Sequence, residues 1–97
     1  MNDDERRIFE DALLKWGANA QIQVAIEEFA ELIVELAKID RRVNGSNSET
    51  VLNELADASI MIDQMRIVFE DVGADFLSKR YRKIQRLKER LALNQKV

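Results

Sequence analysis

Two long apolar stretches of this chain are each interrupted by a pair of acids three residues apart. The first, AIEEFAELIVELA (25–37), holds Glu28 and Glu31; the second, VLNELADASIMIDQM (51–65), holds Glu54 and Asp57. Apolar residues recurring at three- and four-residue intervals specify helices. Residues three apart share a helix face, so each pattern aims two carboxylates the same way. Two such helices packed together would gather four acids. Bare carboxylates repel one another and resist dehydration, so the arrangement calls for a cation. A donor set made only of oxygen suits a hard divalent ion such as Mg²⁺.

The rest of the composition points the same way. The chain has 97 residues, 46% hydrophobic, with three glycines and no proline. That predicts an all-α fold in a single domain over residues 1–97. A chain this short has a thin core, so oligomerisation is expected to complete it. Cysteine and histidine are both absent. This excludes disulfides, thiolate sites, a Ser-His-Asp triad and a histidine base. It also argues against the Glu-x-x-His di-iron bundles.

Four helices are legible. The first is predicted from about Asp3 to Lys15, stopped by Gly17 and Asn19. The second runs from about Ala18 to Asp40, with Ile22, Ile26, Phe29, Ile33 and Leu36 as an apolar stripe. So broad an apolar face predicts a central helix, on which Glu28, Glu31 and Glu35 occupy the remaining face. Residues 41–47 form the main loop, with Gly45 suited to a left-handed position. Ser46 and Glu49 fit a capping box for the third helix, which is predicted to reach about Asp71. Gly73 separates it from a fourth, about Ala74 to Leu93, with Leu77, Ile84 and Leu91 spaced by seven.

Charge is divided along the chain. Residues 1–78 carry 7 basic and 17 acidic residues; residues 79–97 carry 8 basic residues and only Glu89. An acidic body with a basic last helix could hold a metal and a polyphosphate together.

Glu27-Glu28-Phe29-Ala30-Glu31-Leu32 followed by Glu54-Leu55-Ala56-Asp57 resembles the signature of the all-α nucleoside triphosphate pyrophosphohydrolases, the MazG-like group. Trp16-Gly17-x-x-x-Gln21 and the C-terminal Lys83-Ile84-x-x-Leu87-x-x-Arg90-Leu91 resemble small members of it. The likeness covers roughly residues 10–92. It implies a four-helix MazG-like bundle completed by oligomerisation, as a tetramer first and a dimer next. It implies Mg²⁺-dependent hydrolysis of a (deoxy)nucleoside triphosphate to the monophosphate and pyrophosphate, with Mn²⁺ as a substitute. Glu28, Glu31, Glu54 and Asp57 would be the metal ligands. Glu28 or Glu31 would also serve as general base, there being no histidine. Glu35 would be a fifth ligand or support the other four. Glu27 is turned about 100° from Glu28 and falls outside the set.

A triphosphate needs cations beyond the metal. Lys79, Arg80 and Lys83 are the expected phosphate contacts. Trp16 could stack on a base or anchor the first helix. Gln21 could read a base edge, Asn53 could reach nucleotide, and Asn19 suits a helix end. Met61 and Met65 are expected in the core, and Asp63 in solvent or at an interface. Two rivals remain: a non-catalytic helical interaction module, and a degenerate family member that binds nucleotide without turnover. The negative net charge of -3 argues against nucleic acid as partner. No run reaches the roughly 18 apolar residues of a membrane span, and the charged MNDDERR start is unlike a leader, so a cytoplasmic protein is expected.

Overall fold

A computed structural model describes residues 1–70 and 75–93. They form four helices and, among the described residues, no strand: α1 (Asp3–Trp16), α2 (Ala18–Asp40), α3 (Ser48–Val68) and α4 (Phe76–Ala92). The all-α expectation holds.

Local chemistry sets the ends. The capping box lies at α1, where the Asn2 side chain accepts from the Glu5 N–H at 2.8 Å and the Asn2 N–H donates to Glu5 at 2.9 Å. Asp3, Asp4 and Glu5 add negative charge at the positive end of the helix dipole. Gly17, at φ 89°, takes the left-handed turn that ends α1 and starts α2. Asn19 lies inside the first turn of α2, which has no side-chain cap. The cap of α3 is Asn47, one residue later than the sequence suggests, accepting from the Thr50 N–H at 2.9 Å. The Ser46 hydroxyl instead donates to the Val43 carbonyl at 2.5 Å. Asp75 caps α4, accepting from the Leu77 and Ser78 N–H groups. The expected break at Gly73 and the positions of Asp71 and Ala74 lie outside the described residues.

The main packing is α2 against α3 as a hairpin, with α1 laid across it. The buried apolar residues are Phe9, Ala25, Ala58 and Met61, joined by Gln21 and Gln64. The small Ala25 and Ala58 let the two backbones approach closely.

Much of the apolar surface stays open. On the predicted α2 stripe Ile26 is 62%, Ile33 65% and Leu36 47% exposed. Ile22 and Phe29 of the same stripe are half-buried, and the buried residues of α2, Gln21 and Ala25, lie beside it. None of α4 is buried. The chain exposes 7863 Å², where a compact monomer of this mass exposes about 5,700 Å². Its radius of gyration is 16.4 Å, against about 12.5 Å for a compact domain of this length.

Candidate metal centre

The site is built by the alignment of α2 against α3. Near the start of α2, Gln21 Nε2 donates to Gln64 Oε1, near the end of α3, at 2.7 Å. Glu28 follows Gln21 by seven residues and Asp57 precedes Gln64 by seven. Seven residues are about two turns, or about 10.5 Å, on either helix. An antiparallel pair pinned at the glutamines therefore sets Glu28 across from Asp57, and one turn further on Glu31 across from Glu54.

One carboxylate oxygen each from Glu28, Glu54 and Asp57 lies within 4.8 Å of the others. Glu28 and Glu54 are half-buried, and each has one oxygen, Oε2, that is buried with no hydrogen-bond partner. Burial, first, holds both carboxyls above the usual range, and neighbouring acids push the same way: Glu31 and Asp57 on both, Glu54 on Glu28, Glu35 on Glu54. Glu31 is exposed and stands beside the close trio while acting on two of its members. Two orphaned oxygens among crowded acids form a donor set that fits a divalent cation.

Glu35 extends this face by a turn and is paired with Lys38, Nζ to Oε1 at 3.1 Å. Lys38 is a further cation at the edge of the acid face. Its spacing from Glu35, i to i+3, was the available signal. Asp63 is not free in solvent: it pairs with Arg66 at 3.3 Å and is half-buried. Met61 is buried and Met65 half-buried, as expected.

The other expected contacts divide. Asn53 is exposed next to Glu54 and open to a ligand. Gln21 is 6% exposed and engaged by Gln64, so its role is structural. Gln64 itself went unnoticed in the sequence, where a lone glutamine in an apolar run carries no sign of its partner. Trp16 is 58% exposed, with Lys15 Nζ 5.4 Å from the ring centre; the buried aromatic of α1 is Phe9. Lys79, Arg80 and Lys83 line a groove of about 660 Å³ along α4 with Phe76, Ile84 and Leu87. The carboxylates do not line that groove, and Lys79 also lines a second pocket with Phe29, Ile62, Met65 and Phe69 of the hairpin.

Comparison with models of protein families, with curated proteins and with solved structures finds no match to the chain. No helix among the described residues is long and apolar enough to cross a membrane.

Proposed function

We propose that the chain is a Mg²⁺-dependent (deoxy)nucleoside triphosphate pyrophosphohydrolase of MazG-like type. The observation that carries this reading is the convergence of Glu28, Glu54 and Asp57, with two buried oxygens unpartnered, at the positions of an E-x-x-E and E-x-x-D pair. Glu28, Glu54 and Asp57 hold the ion, with Glu31 beside them, and Mn²⁺ can replace Mg²⁺. When bound, the ion supplies charge neutralisation and Lewis acidity toward phosphate and water. Glu31, exposed and outside the close trio, takes the proton of the attacking water. Water adds across the α–β anhydride; the monophosphate keeps the α-phosphorus and pyrophosphate leaves. Lys79, Arg80 and Lys83 bind the triphosphate, Asn53 lies beside the ion, and Trp16 offers a face to the base.

The active form is a homo-oligomer, with the tetramer preferred over the dimer. Supporting this, the protomer carries about 2,000 Å² more surface than its mass predicts. A standard interface takes about 800 Å² from each partner.

The test is pyrophosphate release from a panel of ribo- and deoxynucleoside triphosphates, with and without Mg²⁺. Turnover that needs metal is expected, lost in Glu31→Gln with the melting temperature kept. No release from any nucleotide, together with no thermal response to Mg²⁺, refutes the assignment. That outcome favours the helical interaction module, for which the exposed Ile26, Ile33 and Leu36 speak.

A further inference from the structure

We infer that Lys38 and Arg42, at the C-terminal end of α2, form a phosphate grip for the part of the triphosphate that is released as pyrophosphate. The inference rests on the metal and triphosphate reading and deepens it by placing a phosphate contact on the hairpin that carries the acids.

Lys38 is placed by its partner. Its Nζ lies 3.1 Å from Glu35 Oε1. Helical side chains lean toward the N-terminus of their helix, so this contact sends the ammonium back along α2 toward the carboxylates. Glu35 is four residues beyond Glu31, which leaves about 6 Å along the axis for phosphate between the ammonium and the level of Glu31. Among the described residues, the other ion pairs are Arg6 with Glu10 and Glu70, and Arg66 with Asp63. Lys38 is therefore the cation that contacts an acid on the face of Glu28 and Glu31. Its bond to Glu35 uses one of three ammonium donors. The lysine side chain is 44% exposed. A pair so open to water adds little stability, and the remaining donors face solvent, where a second anion can reach them.

Arg42 carries an independent sign. α2 ends in a Schellman turn, in which the Val43 N–H donates to the Lys38 carbonyl at 3.0 Å and the Arg42 N–H to the Ile39 carbonyl at 3.1 Å. The residue after the cap of such a turn is left-handed and is usually glycine. Here it is Arg42, at φ 56°, the one non-glycine residue of positive φ among the described residues. A side chain at that position costs free energy, and strain of this kind collects at functional sites. Among the described residues no ion pair engages the Arg42 guanidinium. Neighbouring Arg41, by contrast, donates Nε to the Ala37 carbonyl. Residues 38–42, KIDRR, hold three cations and one acid. The order along α2 is thus carboxylates for an ion, then cations for what the ion leaves uncovered. An arginine fork gives a phosphate two parallel donors, which the stable glycine would not.

The test is calorimetric titration of the full-length chain with inorganic pyrophosphate at saturating Mg²⁺, with no turnover involved. Lys38→Gln and Arg42→Gly should each weaken pyrophosphate binding about tenfold. Lys38→Arg should keep most of it. Binding of Mg²⁺ alone should persist in Lys38→Gln, which separates a phosphate contact from a residue that only neutralises Glu35. Arg42→Gly should also melt higher than the parent, because glycine relieves the left-handed position. Unchanged pyrophosphate binding in either variant overturns the inference. So does loss of Mg²⁺ binding in step with pyrophosphate in Lys38→Gln, or a lower melting temperature in Arg42→Gly. A parent that responds to Mg²⁺ yet binds no pyrophosphate overturns the grip and leaves the metal reading standing. A parent with no thermal response to Mg²⁺ sinks the metal reading, and the grip with it.

Discussion

Gln21 and Gln64, both buried, share one hydrogen bond of 2.7 Å that joins the start of α2 to the end of α3. The seven-residue spacings from these glutamines to Glu28 and Asp57 make the bond a pin for the carboxylates. A slip of the hairpin by one turn would strand both amides and separate the acids. Replacing one glutamine by leucine leaves its partner buried without a bond, at a cost of about 1–3 kcal/mol. Gln21→Leu and Gln64→Leu should each lower stability in urea, and the double variant should recover part of the loss. Simple addition of the two losses would show that the amides act independently.

The carboxyls of Glu28 and Glu54 are raised by burial and by acids around them. The folded chain thus keeps protons that the unfolded chain has released. Their contribution is fully present below the ordinary carboxylate range and is lost as pH rises through the raised values. In chelator, melting temperature should fall as pH rises above the ordinary carboxylate range, and fall less in Glu54→Gln. Equal pH slopes for the two proteins would remove Glu54 as a source of the effect.

Mg²⁺ should reverse that loss, because it binds the ionised acids. At a hundredfold excess over its dissociation constant, a ligand specific to the folded state adds about 2.7 kcal/mol. Binding should release protons and weaken as pH falls. Glu54→Gln should be more stable than the parent in chelator and lose the response to Mg²⁺. An undiminished Mg²⁺ shift in that variant would place the ion elsewhere.

Trp16 is the sole tryptophan and 58% exposed. Trp16→Phe should therefore change stability by no more than about 0.5 kcal/mol. Its fluorescence should quench on adding nucleotide, and the variant should raise KM more than it lowers kcat. Unchanged fluorescence at saturating nucleotide would take Trp16 out of the substrate set.

Phe9 is the one buried aromatic of α1, at 8% exposure. Phe9→Ala should cost about 3 kcal/mol by chemical denaturation. A loss below about 0.5 kcal/mol would mean that α1 contributes little to the hairpin it crosses.

Helices, their order and the grouping of acids were legible in the chain because they depend on spacing alone. Period and glycine placement marked α1 and α2 to within a residue, and three-residue spacing put Glu28 with Glu31 and Glu54 with Asp57. What spacing cannot carry is which face meets which neighbour. The apolar stripe of α2 points to Ile26, Ile33 and Leu36, yet these stay exposed while the small Ala25 and Ala58 are buried. Gln21 by residue type suits a nucleotide contact or a helix end, yet its side chain is bonded to Gln64. The trio of Glu28, Glu54 and Asp57, with Glu31 to one side, follows from the alignment of two helices whose acids lie 26 and 29 residues apart in sequence. Local periodicity determined the parts; long-range packing, where one buried amide bond selects one alignment over its neighbours, decided how they meet.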